Sequence, residues 1–145
     1  VVVARAAHGV HAEADPTLDL DGWDAAVKLA CLANVLMGGD LNPELVARKS
    51  VRAVTAERLR AARDAGRHLR MVAEAWWDSG HVVGRVMPWE FAAEDAFAHV
   101  QGQGSMLRLH TDILGKLVIA EEGPDLSSTA YGVIADLFEI QAARS

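Results

Sequence analysis

The sequence is poor in the residues that would commit it to several common classes. It has one cysteine, Cys31, in 145 residues. No internal disulfide can form, which fits a reducing, cytoplasmic setting. It has no run of lysine or arginine and a formal net charge of −6, which argues against nucleic acid as a partner. No apolar stretch reaches the roughly 18 residues that a membrane-crossing helix needs. The apolar start, VVVARAAHGVHAEAD, is broken by Arg5 and His8 and lacks the core of a signal peptide. His8 and His11 are three apart with Gly9 between them, and Cys31 stands alone, so no metal-ligand set is spelled out. No strand-like segment is followed by G-x-G-x-x-G, which leaves out a dinucleotide-binding fold. Repeats and low-complexity linkers are absent as well.

What is present reads as globular. The chain is 51% hydrophobic and 23% charged, enough apolar material for one core, and residues 1–145 are expected to form a single domain. It begins without methionine, in what reads as the end of a helix over residues 1–8, so a piece of a longer protein is expected. Residues 22–37 predict a strong helix with Asp21 as N-cap and Gly38-Gly39 at its end. A short helix over 43–49 would be capped by Asn42, and another over 55–65 by Thr55, with Leu59 and Ala62 facing inward. HLRMVAEAWW and HVVGRVMPW, separated by Asp78-Ser79-Gly80, predict a hairpin. SMLRLHTD and LGKLVIAEE predict a second strand pair. Residues 129–142 predict a final amphipathic helix with Val133, Ile134, Leu137, Phe138 and Ile140 apolar. Helices, then four antiparallel strands, then a helix make the fold α+β: one antiparallel sheet with helices packed on one face.

The concentrated feature is EADPTLDLDGWDAAVK, residues 13–28. Glu13, Asp15, Asp19, Asp21 and Asp24 crowd together ahead of Lys28, which is the one charged residue between Ala25 and Met37. Along a helix its neighbours are Asp24, Ala25, Cys31 and Leu32. Two readings stand on spacing: an exposed partner of Asp24, or an ammonium set between carboxylates and apolar side chains to give and take a proton. Calcium is a poor rival. An EF-hand register puts Thr17, Asp19, Asp21 and Gly22 at positions one, three, five and six, but Lys28 then occupies the glutamate position.

The run AEADPTLDLDGWDAAVK resembles the substrate loop and catalytic helix of homoserine dehydrogenases, whose pattern is roughly G-[YF]-x-E-x-D-P-x-x-D-x-x-G-x-D-x-x-x-K. LNPELVARKSVRAVTAERLRAARDAGRHLRMVA and DILGKLVIAEEGPDLSSTAYGVIADLFEI are similar to later parts of the same family, so the resemblance spans nearly the whole chain. It implies NAD(P)-dependent interconversion of L-aspartate 4-semialdehyde and L-homoserine, a step of amino-acid biosynthesis. By position it implies that Glu13, Asp19 and Asp24 bind the substrate and that Lys28 transfers the proton. It implies cofactor contacts at Gly123 and Thr129, with NAD or NADP held mainly by a domain missing from this chain. The chain by itself is then expected to be inactive. The resemblance also implies a homodimer, for which an exposed strand edge would serve. The sequence departs from the pattern at Val10-His11, where Gly-Tyr is expected. It departs again at Glu121-Glu122-Gly123-Pro124-Asp125, which keeps one glycine of a glycine-rich turn. The competing expectation is a non-catalytic truncated relative that binds an amino acid or mediates dimerisation.

Overall fold

A computed structural model of the chain describes residues 4–6, 20–102, 104–123 and 126–144. The strands are β1 (Ala4–Ala6), β2 (Ala47–Arg48), β3 (Arg67–Asp78), β4 (His81–Ala92), β5 (Ser105–Thr111) and β6 (Gly115–Glu121). The helices are α1 (Trp23–Met37), α2 (Ala56–Asp64) and α3 (Leu126–Ala142). Short 3-10 turns span Pro43–Leu45, Val51–Ala53 and Ala96–His99. The strands form one sheet in the order β2-β4-β3-β1-β5-β6. The fold is α+β, as expected. The sheet holds six strands rather than four, and the β2–β4 pair is parallel.

The β3–β4 hairpin is the spine. Asp78 pairs with His81, so Ser79 and Gly80 form a two-residue turn with φ values of 48° and 86°. Positive φ at both positions matches the right-handed twist of the flanking strands. Alternation then sends Met71, Ala73, Ala75, Val82, Gly84 and Val86 to one face. There they meet Ala26, Leu29, Ala30, Ala33 and Met37 of α1 in the main core. Gly84 is needed for this approach. A Cβ there would lie 2.9 Å from Leu29 Cδ2 and 3.0 Å from Leu41 Cδ2. On the same face α2 is tied down by Arg58, whose Nε lies 3.0 Å from Glu90 Oε1. On the opposite face Val72, Phe97, Val100 and Met106 form a second cluster under the 96–99 turn.

Several local expectations are corrected. Ala4–Ala6 is a strand, paired with both β3 and β5, not a helix end. An open slot between two strands outweighs the helix propensity of its alanines. Helix α1 is not capped by Asp21. Its N-cap is Gly22 at φ 74°, with no side-chain cap hydrogen bond. A Cβ at Gly22 would also lie 3.0 Å from Val86 Cγ1, so glycine is required by both conformation and space. The 43–49 helix is one 3-10 turn capped by Asn42; strand β2 takes the rest. In α2 Thr55 caps as expected and Ala62 is buried, but Leu59 is exposed. Helix α3 begins three residues before Thr129, and its Tyr131, Val133, Ile134, Leu137, Phe138 and Ile140 are all exposed. Its apolar stripe is present but is not buried against the described residues.

The second cluster carries a carboxylate displaced from its ordinary range. Asp95 caps the 96–99 turn through the Phe97 N–H at 2.9 Å and accepts both terminal nitrogens of Arg108. Arg108 also lies 4.4 Å from the Phe97 ring centroid. Burial pushes the Asp95 carboxyl up, but these hydrogen bonds and the charges of Arg108 and Lys116 outweigh it and hold it below the usual carboxylate range. The stabilisation is therefore present above the unfolded value of about 3.9 and is lost as pH falls through the folded one. Asp95→Asn should lower the unfolding free energy at pH 7 by about 1–3 kcal/mol, and the deficit should shrink near pH 3. Urea unfolding at the two pH values checks this, and an equal deficit at both would contradict it.

Candidate active site

The first half of α1 presents the predicted functional pair. Because Ala26, Leu29, Ala30 and Ala33 face the sheet, Asp24 and Lys28 share the opposite side of the helix. Lys28 Nζ lies 2.7 Å from Asp24 Oδ2, and both side chains are nearly half exposed. The carboxylate precedes the ammonium by one turn, which is the favourable order along a helix. At this exposure the pair contributes little to stability. Among the described residues the ammonium is thus paired with the Asp24 carboxylate, and its side chain is nearly half exposed. Around it on the same helix lie exposed Cys31 and Val35 and half-buried Leu32.

Glu13 and Asp19, with Asp15, lie outside the described residues. The path leading from them to α1 is described from Leu20 onward, and it is held by a segment that sequence reasoning missed. Residues 48–52 lie across the start of α1. Ser50 donates its hydroxyl to the Leu20 carbonyl at 2.9 Å. The Arg48 guanidinium stands 4.9 Å from the Trp23 ring centroid, and Arg52 Nε lies 3.7 Å from Asp21 Oδ1. Asp21, expected to be the cap, therefore faces an arginine instead. The segment is fixed to the sheet by the Lys49 N–H, which donates to the Val86 carbonyl at 2.8 Å. No local spacing announces these contacts, since Ser50 and Leu20 are thirty residues apart. At the other end of α1, Asn34 donates to the Leu41 carbonyl at 3.1 Å and accepts the Leu41 N–H at 2.7 Å.

Gly123 and Thr129, expected on the cofactor side, sit away from Lys28 along the chain. Gly123 has φ 62° and open space around it, after the exposed Glu121 and Glu122. Thr129 lies in the first turn of α3 rather than at its start. A cleft of about 420 Å³ runs between the turn at Gly123 and the start of β5, lined among others by His99, Gln101, Ser105, Glu121 and Glu122. Neither Lys28 nor Asp24 lines it. Ser105 Oγ lies 3.1 Å from Glu121 Oε2 across its floor. Among the described residues no group of histidine, cysteine and carboxylate side chains is arranged to hold a metal ion, and no helix is long and apolar enough to cross a membrane.

Comparison with known proteins places the chain in one family. A family model described as homoserine dehydrogenase matches residues 1–138. The homoserine dehydrogenase of Synechocystis sp. is 34% identical over 134 residues, covering 90% of this chain and 31% of that protein. The NAD(+)-dependent homoserine dehydrogenase of Pseudomonas canavaninivorans is 24% identical over 131 residues, covering 90% of this chain and 37% of its own length. Among solved structures, the homoserine dehydrogenase of Thiobacillus denitrificans superposes with a TM-score of 0.79 at 29% identity, covering 87% of this chain and 29% of that one. The chain thus spans about a third of the length of these relatives. With the family model matching all but the last few residues, the chain belongs to the homoserine dehydrogenases.

Proposed function

We propose that this chain is the substrate-binding and proton-transferring part of an NAD(P)-dependent oxidoreductase that interconverts L-aspartate 4-semialdehyde and L-homoserine. The observation that carries the reading is the Lys28–Asp24 pair at 2.7 Å, on the helix that directly follows the acidic loop. The substrate's α-ammonium calls for carboxylates, and Glu13, Asp19 and Asp24 supply them. Its other end changes from carbonyl to alcohol. As a hydride reaches the carbonyl carbon, the carbonyl electron pair moves to oxygen, and the Lys28 ammonium stabilises that charge and gives up a proton to it. In the oxidative direction the neutral amine takes the hydroxyl proton back. Asp24 pairs with Lys28 whenever that side chain is protonated, before it gives up the proton and after it takes it back.

The nicotinamide cofactor, when bound, supplies or accepts the hydride. The open glycine at 123 leaves room for close approach of a ligand, but Glu121 and Glu122 beside it oppose a pyrophosphate. The residues here therefore fit the neutral or cationic nicotinamide end, with Gly123 and Thr129 lining its side. The phosphates are assigned to the domain outside this chain, and the isolated 145 residues are inactive by themselves. Assembly is proposed as a homodimer. Strand β6 supports this, because it is the outermost strand beyond β5 and exposes Leu117, Val118 and Ile119.

Lys28→Met in the full-length protein should lower kcat by about 10² to 10⁴ with the fold intact. Near-normal turnover in that variant would reduce Lys28 to a surface partner of Asp24. Glu13→Gln should weaken homoserine binding by roughly 1.5–3 kcal/mol and leave cofactor affinity unchanged. Equal wild-type affinity for homoserine and its des-amino analogue would remove the acidic pocket from the account. Sedimentation equilibrium should give twice the monomer mass, and a monomer at working concentration would remove the dimer.

A further inference from the structure

Helix α1 carries Asp24 and Lys28 but lacks the local device that usually fixes a helix start. Its N-cap is a glycine in the left-handed region with no side-chain hydrogen bond. The described contacts that restrain the entry to α1, residues 20–23, come from elsewhere in the chain. Three side chains of residues 48–52 reach this junction, and they are not equivalent. The Asp21–Arg52 pair is 3.7 Å apart with both side chains about half exposed, so solvent screens it. Arg48 stacks near Trp23 and also donates to the Pro43 carbonyl at 3.1 Å. Ser50 makes a directed bond to the backbone of the junction, at 2.9 Å and partly buried.

We infer that Ser50 is a positioning residue for the reaction: its hydroxyl fixes the backbone where the substrate loop becomes the catalytic helix. The hydroxyl is used at both ends. Its oxygen accepts the Arg52 N–H at 3.1 Å and so caps the 51–53 turn, while its proton goes to Leu20, the residue that follows Asp19. Capping alone would need only the acceptor. The next residue back, Lys49, is bonded to β4 at Val86, and Val86 also packs under Gly22. Ser50 therefore links the loop exit to the rigid hairpin on which α1 already rests. An error at Leu20 is carried into α1, which bears Asp24 and Lys28, and misplacement of this kind is costly to catalysis even when no reacting group is lost.

The inference rests on the proposed role of Lys28, and the test separates the two. In the full-length protein, Ser50→Ala should lower kcat/KM for homoserine about three- to tenfold, the loss of one hydrogen bond, without changing KM for the nicotinamide cofactor. Ser50→Thr, which keeps the hydroxyl, should recover most of this, and Ser50→Val, of the same shape without the hydroxyl, should not. The Thr–Val pair serves equally if Ser50→Ala folds poorly. Wild-type homoserine kinetics in both Ser50→Ala and Ser50→Val, with Lys28→Met inactive, would overturn the assignment of Ser50 alone. Parallel losses for homoserine and cofactor, tracking a fall in melting temperature, would make Ser50 merely structural and overturn it too. Activity in Lys28→Met would overturn the reading of the site beneath it.

Discussion

How closely α1 can approach the β3–β4 hairpin decides the rest of the helical face. The contact is made by small residues on both sides: Ala26, Ala30 and Ala33 from the helix, and Ala73, Ala75 and Gly84 from the strands. Leu29 fills the space that Gly84 leaves, and burying a side chain of that size contributes about 1.5–3 kcal/mol. With the inner face committed in this way, helical periodicity leaves Asp24 and Lys28 one orientation, outward from the sheet. The pair is thus aimed by the core, and at nearly half exposure its ion contact adds little to stability.

The same approach explains why the entry to α1 is built as it is. Gly22 sits close against Val86, where a Cβ would lie 3.0 Å from Cγ1, and its left-handed φ disfavours other residues. No side-chain cap bond closes the helix start. Restraint comes instead from the segment after the 43–45 turn, which adds β2 to the edge of β4 and then crosses the helix start. The parallel strand is only two residues long, yet it places Arg48, Ser50 and Arg52 over residues 20–23. The opposite face of the sheet is organised differently, by the Asp95–Arg108 pair over Phe97.

Much of this was legible locally. Asn42 and Thr55 cap as their side chains predict, Gly38 closes α1, and Ser79-Gly80 makes the tight hairpin turn. Lys28 and Asp24 meet because four residues make about one helical turn. What local reading missed was long-range. Ala4–Ala6 is a strand because β3 and β5 leave a slot for it. Asp21 is not a cap because Gly22 takes a left-handed conformation under Val86, and Ser50 has no sequence signal because its partner is thirty residues away. Leu59 and the stripe of α3 show the converse: apolar periodicity announces a helix face without telling what covers it.

The central claim is that Lys28 serves the reacting oxygen while carboxylates of the loop hold the amino group. A crystal structure of the full-length protein with homoserine and the nicotinamide cofactor bound tests it most directly. The account predicts Lys28 Nζ within about 3.2 Å of the homoserine hydroxyl oxygen, with the α-ammonium against carboxylates of the 13–24 segment. A substrate bound with its ammonium away from that segment, or with its hydroxyl beyond reach of Lys28, would contradict it.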